Sequence, residues 1–222
     1  MTAGGLKLYS YWRSSAAYRV RIALNLKGLP HELIPVSLIN NGGEHRSEEY
    51  RALNPQGKVP TLIDGERIVR QSMAIVEYIE ESYAGEHRLM PVTARERARV
   101  RALAQIVACD IHPVNNLGVM QYLEHEFNAP QVERDRWIKH WIIEGFKGFE
   151  TLLATNPSTG EFCEGDEPTM ADVCLVPQVY NAKRWSVDMT AYPMIQRISD
   201  SCMKLDEFAR ARPENQPDAP KT

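Results

Sequence analysis

Two adjacent serines, Ser14 and Ser15, stand where a short strand-like run gives way to a helical pattern. The run Leu6 to Tyr11 precedes them, and apolar residues then recur at a spacing of 3.6 residues. At a helix N-terminus, the unpaired backbone N–H groups and the positive end of the helix dipole favour an anion. The serines therefore suit two roles: capping the helix, or holding a bound thiolate or carboxylate.

Arg19 falls between two apolar rows of this helix, which we predict to run from Ser15 to Lys27 and to stop at Gly28. Most of the helix should then be buried. An isolated buried charge is costly, so Arg19 must either form a structural ion pair or face a ligand.

The first third of the chain alternates strands and helices in the order β-α-β, then β-β-α. A second strand is predicted at Glu32 to Val36, followed by a polar loop. Pro60 begins a third strand, where it suits only an edge position or a cis peptide bond. Its partner strand is Arg67 to Arg70, and a helix then runs from Gln71-Ser72 to Tyr83. This order predicts a small α/β domain with a mixed sheet.

The rest of the chain is helical in pattern after a linker that contains Gly85 and Pro91. A near-capping box at Thr169 to Asp172, with Asp in the usual position of Glu, is expected to begin one of these helices. The tail from Pro213 is polar and rich in proline, so we expect it to be loose. The predicted helices are Ala94–Phe127 with a kink at Pro113, Val132–Ala154, Thr169–Ala182 and Met194–Arg210.

The amino-acid composition of the chain narrows the classes of partner and function that it could have. The 222 residues are 43% hydrophobic, and 26 basic and 29 acidic residues give a net charge of −3, which favours neither nucleic acid nor an anionic membrane as partner. No apolar run reaches 18 residues and no signal peptide is evident, so a cytoplasmic location is expected. Four widely spaced cysteines indicate reduced thiols. Cys109 and His112 lack a second ligand pair, so no metal site is expected.

The small α/β domain has the plan of the thioredoxin-like fold. Redox members of that fold carry C-x-x-C at the start of the first helix, where the dipole lowers a thiol pKa. Here that place reads Ser14-Ser15-Ala16-Ala17, and no cysteine occurs before Cys109. Any thiol chemistry at this helix therefore requires a thiol that arrives with a ligand.

Motifs in five places together resemble the zeta-class glutathione transferases. The resemblance implies a homodimer in which residues 1–83 form a thioredoxin-like glutathione-binding domain, residues 84–93 a linker and residues 94–222 an all-helical substrate domain. It also implies glutathione as the cofactor. The motifs are Ser14-Ser15 with Arg19 to Leu24, Val59-Pro60-Thr61-Leu62, Gln71-Ser72, Gly165-Asp166 with Thr169 to Asp172, and Leu175-Val176-Pro177-Gln178.

Site residues follow from the same resemblance. Ser14 and Ser15 would hold the glutathione thiolate, and Val59, before a cis Pro60, would pair its backbone with the cysteinyl part. Arg19, Gln71 and Ser72 also belong to the cofactor site. Gln71 and Ser72 would take the γ-glutamyl end, and Ser72 could also cap its helix.

Five further residues are assigned by the resemblance. His45 stands where the family usually has a glutamine that reaches the glycyl end of glutathione. In the helical domain, His112 and Asn116 would face the site, although His112 also suits a purely structural role. Arg13 and Arg184 would bind substrate carboxylates.

The implied reaction is the glutathione-dependent cis–trans isomerisation of maleylacetoacetate to fumarylacetoacetate, in the catabolism of tyrosine, phenylalanine or related aromatics. Many relatives have Cys in place of Ala16, so that thiol is not needed here. Maleylpyruvate isomerases tend to carry arginines where this chain has Leu117 and Gly118, which favours maleylacetoacetate. The alternatives are a maleylpyruvate isomerase, a transferase that conjugates or dehalogenates small α-halo acids, and a non-catalytic scaffold.

Overall fold

The computed structural model describes residues 5–85 and 87–221. Contacts divide the chain into two units, Met1–Leu89 with Lys204–Thr222, and Met90–Met203. The sequence placed residues 94–222 in one helical domain, whereas the segment from Lys204 groups with the first unit.

A mixed four-stranded sheet with the order β2-β1-β3-β4 lies in the first unit. β1 pairs with β2 in parallel and with β3 antiparallel, and β3 pairs antiparallel with β4. The predicted strands and the cis Val59–Pro60 peptide bond are confirmed. The strands are β1 Leu6–Ser10, β2 His31–Pro35, β3 Thr61–Asp64 and β4 Arg67–Arg70.

Three helices accompany these strands: α1 Ser15–Leu26, α2 Glu48–Leu53 and α3 Ser72–Ser82. α1 ends as predicted, with Gly28 at a φ of +61°, a conformation that glycine adopts without strain. The sequence missed α2, which is too short for a periodic pattern. Its N-cap is Ser47, whose Oγ accepts a hydrogen bond from the backbone N–H of Tyr50 at 3.1 Å.

The C-terminal segment of the first unit is ordered, so the prediction of a loose tail was wrong. The single helix predicted over Met194 to Arg210 is interrupted, and α9 occupies Asp206–Arg210. The side chain of Gln216 is buried and donates to the carbonyl oxygens of Arg210 and Arg212, at 3.0 and 2.8 Å. These bonds give polar, proline-rich sequence a fixed conformation that composition does not reveal.

The second unit is helical, as expected, and comprises α4 Ala94–Gln105, α5 Leu117–Phe127, α6 Gln131–Ala154, α7 Met170–Arg184 and α8 Pro193–Met203. The capping box that begins α7 is confirmed: the fully buried Asp172 carboxylate accepts from the backbone N–H of Thr169 at 2.8 Å, and the Thr169 hydroxyl accepts from the helix. Among residues 5–85 and 87–221, no helix is long and apolar enough to cross a membrane.

The single helix predicted over Ala94 to Phe127 was wrong. The chain changes to a π-helix over Ile106–Ile111 and to a 3-10 turn over Pro113–Asn115 before α5 begins. Pro113 has no N–H to donate and crowds the preceding turn. Asn116 then caps a new helix, because its Oδ1 accepts from the backbone N–H of Val119 at 3.1 Å.

Gly145 of α6 packs directly against the π-helix. A Cβ atom at this position would overlap Cγ1 and Cδ1 of the buried Ile111, whereas a Cβ at Gly148, one turn further along α6, would meet nothing within 4 Å. A residue without a side chain is therefore required where α6 approaches Ile111.

We predict that Gly145→Ala destabilises the protein by about 1–3 kcal/mol, because overpacking forces the Ile111 side chain or the backbone to move. The matched control, Gly148→Ala, should gain about 0.5–1 kcal/mol from helix propensity alone. Urea unfolding monitored by circular dichroism measures both changes. Equal stability of the two variants would contradict close packing at Gly145.

Candidate active site

The two serines of the predicted site occupy different positions at the N-terminus of α1. Ser14 is the N-cap, and its Oγ accepts from the backbone N–H of Ala17 at 3.2 Å. Ser15 is the first helical residue, and its hydroxyl has no hydrogen-bond partner within the part of the chain that the structure describes. The first turn contains no acidic residue, so nothing there offsets the positive end of the helix dipole. The arrangement suits an anion beside Ser15.

A second helix N-terminus, that of α3, lies in the same unit. Its N-cap is Gln71, which has φ +69° and ψ 120° and makes no capping bond with its side chain. A positive φ in a residue other than glycine is strained, and such strain often marks a functional site. The Gln71 Nε2 atom instead donates to Oε1 of Gln56 at 2.6 Å. The first N–H groups of α3 are therefore not satisfied by their N-cap side chain.

Arg19 connects these two helices. Its side chain is buried, with the residue only 2% exposed, and Nη1 donates to the Ser72 hydroxyl at 3.2 Å. Ser72 is thus the first residue of α3 and an acceptor for Arg19, so its alternative role as the helix cap was wrong. The positive charge of Arg19 adds to the dipole at the start of α3, where it favours a negatively charged group.

The bend that precedes β3 is held by two residues that the sequence did not single out. The Tyr50 hydroxyl and the Asn54 Nδ2 atom both donate to the carbonyl oxygen of Lys58, at 2.8 and 2.7 Å. Val59 is buried in a cluster with Tyr50 and other apolar residues. Tyr50 belongs to the unpredicted helix α2, so no periodic signal pointed to it, whereas Asn54 opens the Asn54-Pro55 turn.

His45 lies in a 3-10 turn, Glu44–Arg46, and is buried. Its ring rests on Gly43, whose φ is +100° and where a Cβ atom would overlap the imidazole. Burial lowers the pKa of His45 below its ordinary value, although a hydrogen bond to the Ser37 backbone acts in the opposite direction. The ring is therefore neutral at pH 7, and its predicted contact with glutathione stays a prediction.

The remaining predicted residues make local contacts that orient them. In the second unit, His112 follows the π-helix, and Asn116 donates from Nδ2 to the Pro113 carbonyl oxygen at 2.7 Å while capping α5. Arg184 ends α7 with its guanidinium 4.8 Å from the Trp185 ring centroid. In the first unit, Arg13 lies 5.2 Å from the Trp12 ring centroid. Their assignments to ligand binding stay predictions.

Groups of at least three His, Cys, Asp or Glu side chains placed to hold a metal ion do not occur in residues 5–85 and 87–221.

Comparison with known proteins identifies the family. The family model "Glutathione S-transferase, N-terminal domain" matches residues 8–87. A "Probable maleylacetoacetate isomerase" of Vibrio cholerae is 50% identical, and the alignment covers 96% of this chain and 98% of that protein. A solved maleyl pyruvate isomerase, described as a bacterial zeta-class glutathione S-transferase, superposes with a TM-score of 0.93 at 47% identity, over 96% of this chain and 100% of the other. The chain belongs to the zeta-class glutathione transferases.

A second solved zeta-class relative contains ligands. The crystal structure of maleylacetoacetate isomerase from Methylobacterium extorquens AM1, with bound malonate and GSH, has a TM-score of 0.93 at 42% identity; 97% of this chain and 100% of that one are covered. That protein therefore holds GSH and a small dicarboxylate at the same time.

In this zeta-class transferase we predict that Ser14→Ala lowers the free energy of unfolding by about 1 kcal/mol, because α1 loses its cap. Ser15→Ala should leave it unchanged within about 0.5 kcal/mol, since that hydroxyl makes no bond within the described residues. Thermal unfolding of the two variants gives the comparison. A larger loss in Ser15→Ala would show that Ser15, not Ser14, caps α1.

Proposed function

We propose that this chain is a glutathione-dependent cis–trans isomerase that converts maleylacetoacetate to fumarylacetoacetate in the catabolism of tyrosine, phenylalanine or related aromatic compounds. The observation that carries the proposal is the N-terminus of α1, where Ser14 is used as the cap and the neighbouring Ser15 hydroxyl has no partner among the described residues. The chain is 42–50% identical, over nearly its full length, to proteins named maleylacetoacetate isomerase, and this similarity supports the choice of reaction.

The residues present fit glutathione. The cysteines of the chain do not offer a substitute nucleophile in the first unit, and burial raises the pKa of the Cys163 and Cys202 thiols well above the ordinary value. When bound, glutathione supplies a thiolate that adds reversibly to the cis double bond. Ser15 and the α1 N-terminus would stabilise that negative charge, so that the ionised form of the thiol predominates.

The remaining contacts divide between cofactor and substrate. The uncapped start of α3, with Gln71 and the Arg19–Ser72 pair, suits the γ-glutamyl carboxylate, and the backbone at Val59 suits the cysteinyl part. We assign His45, His112 and Asn116 to further contacts with glutathione. Arg13 and Arg184 would bind the substrate carboxylates.

Maleylpyruvate isomerisation is the second candidate, favoured by the 47% identity to a structurally similar maleyl pyruvate isomerase. Leu117 and Gly118 at the start of α5 provide no guanidinium for a second carboxylate there, and we therefore place maleylacetoacetate first.

We further propose that the protein is a cytoplasmic homodimer. The family resemblance supports the dimer, and the four free cysteines support a reducing compartment.

The function is tested by the loss of maleylacetoacetate absorbance with and without glutathione, with maleylpyruvate assayed in parallel. Rapid turnover of maleylacetoacetate that requires glutathione is the expected result. Faster turnover of maleylpyruvate would select the second candidate. Turnover of neither, with α-halo acids consumed instead, would overturn the isomerase proposal in favour of conjugation or dehalogenation.

We predict that Ser15→Ala lowers kcat by about ten- to a thousandfold, within the range for a lost donor to a developing negative charge. Ser14→Ala should act through the stability of α1 and so lower kcat less. The initial rate at saturating glutathione and substrate measures both effects. Wild-type rates in both single variants and in the double variant would refute a role for these hydroxyls.

Arg184→Ala should raise the KM for maleylacetoacetate by about tenfold or more while the Kd for glutathione stays the same, because a charged hydrogen bond to a carboxylate is lost. Lys183→Ala, which removes a neighbouring exposed charge from the same helix turn, is the control. An equal loss of affinity for glutathione and substrate would indicate a structural role for Arg184.

A further inference from the structure

The loop between β1 and α1 is held by the C-terminal segment through the Trp12 peptide group. The Trp12 backbone N–H donates to Oδ2 of Asp218 at 2.8 Å. The Trp12 carbonyl oxygen accepts from Nη2 of Arg21 at 3.0 Å. Both backbone polar groups of Trp12 are therefore bonded to side chains, one from α1 and one from a position 206 residues away in the sequence.

Arg21 connects the same C-terminal segment to the residues that precede α1. The residue is only 2% exposed, and its Nε donates to the carbonyl oxygen of Ala211 at 3.1 Å. Its Nη1 donates to the Ser10 hydroxyl at 3.1 Å and to the Tyr11 carbonyl oxygen at 3.4 Å. Burial lowers the pKa of Arg21 to about 10, so the guanidinium remains charged at neutral pH and these bonds are charge-assisted.

The loop that Arg21 and Asp218 hold leads directly into the catalytic helix terminus. The Tyr11 carbonyl oxygen, which Arg21 contacts, also accepts from the backbone N–H of Ser14 at 3.0 Å. The hydrogen bond to Asp218 lies two residues before Ser14. A shift of the Trp12 peptide would therefore move the N-cap and the free Ser15 hydroxyl relative to the bound thiol.

The C-terminal segment is itself well anchored, so it can act as a fixed support. Phe208 and Ala211 are buried, and the Asn25 amide of α1 donates to the Glu207 carbonyl oxygen at 2.8 Å. The backbone N–H of Ala219 donates to the carbonyl oxygen of Gln216 at 3.0 Å, which forms the turn that carries Asp218. Asp218 is thereby presented from a folded element.

We propose that Asp218 and Arg21 are positioning residues, through which the C-terminal segment holds the loop of Arg13, Ser14 and Ser15 in the geometry needed to ionise bound glutathione. This inference rests on the proposed glutathione-dependent function. Asp218 acts through the Trp12 N–H and does not itself contact the substrate. Its second oxygen, Oδ1, is buried and has no partner within the described residues, so an amide can replace the carboxylate without breaking another bond there.

The test compares Asp218→Ala with Asp218→Asn in the full-length chain. The readouts are kcat, the KM for glutathione and the thiol pKa of bound glutathione, followed by thiolate absorbance during a pH titration. For Asp218→Ala we expect the bound thiol pKa to rise by about one unit and kcat to fall by about ten- to a hundredfold, because the N–H acceptor is lost. Asp218→Asn retains an oxygen acceptor and should restore most of both values.

Asp206→Ala is the matched control, since it removes an exposed carboxylate from the same segment, where Asp206 pairs with Arg210 at 2.8 Å. Its bound thiol pKa and kcat should equal those of the wild type. Wild-type values in Asp218→Ala, or the same loss in the Asp206 control, would overturn the positioning role. An inactive wild type that fails to bind glutathione would instead refute the proposed function.

Discussion

The arrangement of the first unit depends on the hydrogen bonds of the buried Arg21 guanidinium. Removing a charge from water is expensive unless its donors are satisfied. Arg21 meets this condition with the Ser10 hydroxyl and the carbonyl oxygens of Tyr11, Trp12 and Ala211. These acceptors come from the end of β1, the following loop and the C-terminal segment. The beginning of the chain and its C-terminal segment, which are distant in sequence, are therefore fixed around one charge.

Two helix N-termini provide the electrostatic basis of the candidate site. α1 begins with a cap and a neighbouring hydroxyl without a described partner, and α3 begins at a strained Gln71 that does not cap it with its side chain. Arg19 joins them through Ser72. In the proposed function, the N–H groups at the start of α1 would stabilise the glutathione thiolate, and those at the start of α3 would bind the γ-glutamyl carboxylate.

Local patterns predicted well the elements that carry their own signals. Three such elements are α1 with its capping serine and terminal glycine, the paired strands β3 and β4, and the capping box at Thr169, each of which has a sequence signal within a few residues. The features that the sequence did not predict are short or depend on contacts between residues that are far apart in the sequence. Helix α2 is too short for a periodic pattern. The π-helix after Gln105 packs closely against Gly145 of α6, and the C-terminal segment is held by bonds to Trp12 and within itself. The site residues were named from motifs. The supporting contacts of Tyr50, Asn54, Arg21 and Asp218 were not predicted, although Arg21 lies within the first motif.

The π-helix before His112 has a consequence for how this family can vary. A π-helical turn is equivalent to one residue added to an α-helix, and each residue of an α-helix advances by about 100° around its axis. Because the widened turn accommodates the added residue, loss of a single residue between Ile106 and Ile111 would restore regular α-helix and leave His112 and Pro113 facing the same way. A single-residue insertion or deletion in this short stretch can therefore change the length of the chain without rotating the residues that follow it.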